Sequence, residues 1–121
     1  MITNLWKIIK IYCGNNHDEL VELQPVQGPL SLFYACPKYY EQNRKENEKM
    51  CDNRLNLNDY NALVEHLTKI ISEAEEENMV LDLTGYKWKN KGVSYEIFKY
   101  SDISIKVKVY STKSIGKYTI N

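Results

Sequence analysis

Three cysteines and one histidine, Cys13, His17, Cys36 and Cys51, are the residues whose types and spacing could do chemistry. They read as Cys-x3-His, then a cysteine after eighteen residues and another after fourteen. Three thiolates and an imidazole make a complete tetrahedral donor set for zinc, of the Cys3His kind used in structural sites. A catalytic zinc usually keeps one position open for water, and four protein ligands would close it. The chemistry implied is structural metal binding rather than turnover. The alternative is three reduced thiols packed as small hydrophobes. His66 is a rival fourth ligand; its place beside Leu63, Leu67 and Ile70 equally suits a partly buried structural histidine.

An odd number of cysteines argues against a disulfide framework. Met1 to Tyr12 carries Lys7 and Lys10 inside its apolar stretch and has no small-residue cleavage site, so it does not read as a signal peptide. The expectation is a cytoplasmic protein with reduced thiols. The longest apolar runs are a few residues, far short of the ~20 that span a bilayer, and no membrane partner is expected. No P-loop, dinucleotide glycine pattern, HExxH or Gly-x-Ser-x-Gly is present, so the chain reads as non-enzymatic. A nucleophile pair such as Cys13 with His17, or Cys36 with His66, has no evident oxyanion site or orienting third group.

The elements that must position these residues follow from hydrophobic periodicity. With 121 residues, 43% hydrophobic and 26% charged, the chain has the composition of a globular protein with room for one domain or two small units. Leu5 to Tyr12 reads as a strand. Glu19 to Gln24 and Ser31 to Cys36 are short strand candidates, joined by the turn-like Pro25-Val26-Gln27-Gly28-Pro29. Pro37 to Leu55 is a long polar loop of the kind that needs pinning, with Cys36 and Cys51 near its two ends. Tyr60, Leu63, Val64, Leu67, Ile70, Ile71 and Ala74 then fall on one face of a 3.6-residue repeat, predicting a helix that packs this face on the sheet. Asn56 is its expected N-cap, with Asp59 three residues on, and Asn78 its expected stop. Val80 to Leu83, Tyr86 to Lys89, Val93 to Tyr100 and Ile103 to Tyr110 follow as strands. The last alternates cleanly, with Ile103, Ile105, Val107 and Val109 on one face. Asn90-Lys91-Gly92 and Ser101-Asp102 supply hairpin turns.

The zero net charge hides a pattern. Residues 56 to 83 carry a net charge of −6, and residues 84 to 121 carry +6. In the basic block Lys87, Lys89, Lys91, Lys99, Lys106 and Lys108 interleave with Tyr86, Trp88, Tyr100 and Tyr110. Lysines on phosphates with aromatics under bases is how single strands are held without sequence reading. The plain alternative is a solvated sheet face whose lysines guard an edge. Lysine without arginine gives no bidentate phosphate contact. Tyrosine occurs ten times, as strand-favoured residues or interface residues. Tyr39 and Tyr40, beside the cysteine line, fit either use.

Cys13-Gly-Asn-Asn-His17 together with Leu32-Phe-Tyr-Ala-Cys36-Pro-Lys-Tyr-Tyr40 resembles the small zinc ribbons at the C-terminal end of bacterial type I topoisomerases. His17 stands where that family has a second cysteine, and the Cys36–Cys51 spacer is longer. The likeness covers about a third of the chain and none of the catalytic part. It implies a short antiparallel sheet around structural zinc held by Cys13, His17, Cys36 and Cys51, with Phe33 and Tyr34 as sheet aromatics. It also implies contact with single-stranded DNA.

The combined expectation is an α+β protein. Residues 1–55 form a zinc-ribbon-like antiparallel unit, and residues 56–121 supply one amphipathic helix and a C-terminal antiparallel meander, packed together as one domain. Structural zinc is its cofactor and nucleic acid its leading partner. Tyr39, Tyr40, Lys87, Trp88, Lys89, Lys106, Lys108 and Tyr110 are the candidate contacts. The second reading is a protein-binding adaptor or inhibitor, of a phage or mobile-element type, using a charged tyrosine-rich face.

Overall fold

The computed structural model describes residues 7–15 and 17–111. Leu5 and Trp6 of the expected first strand, and Lys113, Lys117 and Tyr118, lie outside the described residues. The fold is α+β. Strands β1 (Ile8–Cys13), β2 (Gln24–Gln27), β3 (Leu32–Ala35) and β4 (Arg54–Asn56) precede helix α1 (Leu57–Glu76). Strands β5 (Lys87–Asn90), β6 (Val93–Tyr100) and β7 (Ser104–Ser111) follow it. No helix among the described residues is long and apolar enough to cross a membrane.

Helix α1 forms where the stripe predicts. The Asn56 side chain caps it by accepting from the Asp59 backbone N–H at 2.7 Å. Asn78, at φ 56°, ends it in the left-handed conformation, and the Met79 N–H closes back on the Ala74 carbonyl at 2.9 Å. Leu63, Leu67 and Ile71 are buried in one core cluster with Val93, Tyr95 and Ile97 of β6 and Ile105, Val107 and Val109 of β7. The β5–β6 hairpin turns on Lys91 and Gly92, both at positive φ (52° and 81°), as a two-residue turn requires.

The larger sheet has the order β1-β7-β6-β5. Its C-terminal part is the expected antiparallel meander, with β1 added parallel to β7, Lys10 opposite Lys106 and Cys13 opposite Val109. β1 therefore belongs to the sheet of the C-terminal half. Burial explains the pairing, because Ile11 and Cys13 complete the inner apolar face of β7. The smaller sheet, β2-β3-β4, is antiparallel and is joined to α1 by Tyr34 against Tyr60, ring centroids 4.7 Å apart.

Three local expectations differ. The supposed turn at 25–29 is largely strand β2: Pro25 sits on an edge strand, where its missing N–H costs no ladder bond, and the turn falls at Gly28–Ser31. The segment before it instead shields β1, through Cys13 N–H to the Val21 carbonyl (2.7 Å) and Leu23 N–H to the Ile11 carbonyl (2.9 Å). Val80–Leu83 is not a strand, because Asp82 accepts from the Thr84 N–H and hydroxyl at 3.0 and 2.8 Å and turns the chain. Ile103 is 69% exposed rather than inward, since it precedes β7 in the β6–β7 turn.

Candidate metal centre

The ends of the two sheets meet at the cysteines. β1 delivers Cys13, and the Gly14 N–H just beyond it donates to the Val109 carbonyl at 2.8 Å. The chain then turns, with His17 N–H on the Asn15 carbonyl at 2.9 Å, and brings the imidazole back over Cys13. From the other sheet, β3 and β4 pair Ala35 with Arg54. Cys36 and Cys51 therefore leave the same end of that ladder, held by the Cys36 N–H to the Asn53 carbonyl at 3.0 Å.

The donor atoms of Cys13, His17, Cys36 and Cys51 all lie within 4.8 Å of one another, close enough to hold a metal ion. The Cys13 and Cys51 sulfurs are 3.7 Å apart, and the Cys36 sulfur is 3.5 Å from His17 Nε2. A tetrahedral zinc with bonds of about 2.3 Å to sulfur and 2.05 Å to nitrogen has edges of about 3.8 Å and 3.6 Å. These two separations match those edges, the other pairs lie within 4.8 Å, and donor type and count match as well. All three cysteines are buried and none is in a disulfide.

A second layer of polar groups holds these donors. His17 Nδ1 lies 3.4 Å from the Glu48 carboxylate, the carboxylate–histidine arrangement that fixes an imidazole for metal binding through its other nitrogen. Glu48 is itself fixed by the Lys45 N–H at 2.8 Å and the buried Lys38 ammonium at 3.2 Å. Two Cys-x-Asn segments then exchange amides. Asn15 donates to the Cys51 sulfur and Asn53 to the Cys13 sulfur, each at 3.1 Å. The Asn53 amide also donates to the Val109 carbonyl at 2.7 Å and its carbonyl accepts from Ser111 N–H at 3.0 Å, which ties the centre to β7.

Protons are unequally shared among the thiols. Bonds from Cys13 and Cys36, with the Asn15 amide adding to them, hold Cys51 far below the ordinary thiol range. Cys36 is pushed far up by the same sharing with Cys13 and Cys51 and by burial. Cys13 is favoured as thiolate by its bond from Cys36, but its bond to Cys51 and its burial raise it on balance. Cys51 is thus the thiol most favoured as thiolate. A cation bound here would displace the remaining thiol protons into solvent.

The remaining candidate residues separate into three places. Lys87, Lys89, Lys106, Lys108 and Tyr110 share the outer face of the larger sheet, where Lys87 opposes Glu96 and Glu96 opposes Lys108. Trp88 turns to the inner side, stacked on Tyr95 (4.8 Å) and Tyr86 (5.1 Å) with His66 beside it (4.9 Å). Tyr39 and Tyr40 meet edge to face at 5.3 Å on the smaller unit, near Cys51 and Arg54. His66 is no part of the cysteine cluster; its Nε2 lies 3.0 Å from the Tyr86 hydroxyl.

Sequence reasoning missed Asn15, Asn53, Glu48 and Lys10. The repeated Cys-x-Asn spacing was a readable signal for the two asparagines. Nothing local marked Lys10, which enters the outer face only through the pairing of β1 with β7. Comparisons with protein-family models, with curated proteins and with solved structures give no match for this chain.

Proposed function

We propose that this is a non-enzymatic protein built around a structural zinc, and that it binds single-stranded nucleic acid on the outer face of its larger sheet. Zinc is supported by the Cys3His donor set, the two donor separations that match tetrahedral edges and the histidine–carboxylate pair behind it. The resemblance of residues 13–51 to topoisomerase zinc ribbons points the same way.

One observation carries the nucleic-acid reading. Lys10, Lys106 and Lys99 stand directly opposite one another across β1, β7 and β6. Like charges in facing positions cost roughly 0.2–1 kcal/mol per pair relative to neutral ones. A row that repels itself in the free protein is relieved when phosphates lie along it. Lys87, Lys89 and Lys108 extend the row, and Glu96 is the single carboxylate in these four strands. Phe98, bulged outward between Ile97 and Lys99, and Tyr110, 38% exposed, supply the aromatic surface. Lys108 lies 5.3 Å over the Phe98 ring.

The test is anisotropy of a labelled single-stranded oligonucleotide titrated with the purified chain. Engaging three to five phosphates predicts a log–log salt slope of about −2 to −3.5. Lys106→Glu with Lys108→Glu should abolish binding while leaving the fold intact. An absence of binding at about 50 mM salt removes this reading and favours a protein partner for the face.

A further inference from the structure

On the opposite side of the larger sheet, between α1 and the edge strand β5, lies an open groove of about 450 Å³. Its wall is aromatic: Trp88 stacks on Tyr95 at 19° and His66 leans on Trp88 at 34°, while Tyr86, outside the lining, supports Trp88 at 26°. Trp88 is half-buried. The imidazole is held in place by the Tyr86 hydroxyl at 3.0 Å, so this wall is preorganised. The Tyr95 side chain, 2% exposed, also lines the groove, and its hydroxyl has no hydrogen-bond partner among the described residues. A buried orphan hydroxyl is unusual, and this one lies beneath the wall rather than open to the groove. Two ammonium groups, Lys69 on α1 and Lys89 on β5, stand at the rim against one carboxylate, Glu65.

We propose that this groove binds a planar heteroaromatic ring carrying an anionic group, in chemical class a nucleoside monophosphate. The ring packs against Trp88 and His66. The phosphate lies between Lys69 and Lys89, and Glu65 accepts from an exocyclic amine of the base. The volume fits one nucleotide and excludes a duplex. Lys89, at the sheet edge, borders both this groove and the outer face, whereas Lys69 is on the helix, away from Lys10, Lys106 and Lys99, so Lys69 and Lys106 variants tell the two sites apart.

The experiment is a titration of the 15N-labelled full chain with adenosine monophosphate, following the Trp88 indole N–H. Ribose 5-phosphate and inorganic phosphate are the comparison probes. The proposal expects saturable shifts centred on Trp88, His66 and Lys89, with half-saturation at about 1 mM or below. It expects Lys69→Glu to weaken binding about fivefold and Lys106→Glu to leave it unchanged. Lys69 is exposed, so its replacement leaves the core intact. Unchanged spectra at ten times that concentration overturn the proposal. Equal response to inorganic phosphate overturns it too, as does indifference to Lys69→Glu.

Discussion

Replacing Asn53 by aspartate tests whether the candidate metal centre is held by its second layer as well as by its four potential donors. The side chain is 3% exposed and makes three bonds, donating to the Cys13 sulfur and the Val109 carbonyl and accepting from the Ser111 N–H. Aspartate keeps the shape and the acceptor but loses both donors. The Val109 carbonyl and the Cys13 sulfur are then left facing an oxygen at 2.7 and 3.1 Å. Each buried group so orphaned costs about 1–3 kcal/mol, so the two together cost about 2–6 kcal/mol. With a urea dependence of about 1.3 kcal/mol per molar, the unfolding midpoint should fall by about 1.5–4.5 M. Chelator competition should show metal held 10- to 100-fold less tightly, roughly the usual loss for an outer-layer partner. Asn15→Ala is the control. It removes one bond to the Cys51 sulfur from an exposed side chain and should cost under about 1 kcal/mol. If Asn53→Asp behaves like that control in both assays, the amide exchange between the two Cys-x-Asn segments is incidental and the reasoning fails.

Gly14→Ala would place a methyl 2.5 Å from the Tyr110 ring, so the ring must swing away; a loss of about 1 kcal/mol is expected, largely abolished in a Tyr110→Ala background. Equal losses in both backgrounds would place the strain elsewhere. Relieving the lysine row by Lys106→Thr should stabilise the fold by a few tenths to 1 kcal/mol in urea while weakening oligonucleotide binding. A loss of stability would show that the row is not self-repelling. Burial against Trp88 and Tyr86, with Lys69 nearby, holds the His66 pKa below its ordinary value, so the neutral ring is favoured in the folded state. Its contribution is fully present above the ordinary histidine pKa of about 6.5 and is lost as pH falls through the depressed folded value. His66→Gln should therefore show a shallower decline in urea midpoint between pH 7 and pH 5 than the parent. Parallel profiles would contradict that sign.

The parts legible in the sequence were those set by local rules. Helix α1, its Asn56 cap and Asn78 stop follow from a 3.6-residue stripe and capping chemistry, and the Lys91-Gly92 hairpin from its turn residues. The four donors were legible because thiols and imidazoles are rare and their chemistry is narrow. What escaped is long-range or conditional. Lys10 and Lys106 become neighbours only through a parallel pairing that closes nearly the whole chain, and no periodicity encodes it. Pro25 was read as a turn because its strand use depends on lying at an edge, a property of the assembled sheet. Trp88 was grouped with Lys87 and Lys89 by adjacency, although the period of two in a strand sends it to the other face. The reciprocal amide-to-sulfur bonds needed both sheets in place before Asn15 and Asn53 could cross over.

The most direct measurement is elemental analysis of the chain purified without chelators. The account predicts about one zinc per chain, lost together with the fold when a strong chelator is added. A content below about 0.3 zinc per chain in a folded preparation would contradict it, because a structural site of this kind holds its metal tightly and couples it to folding.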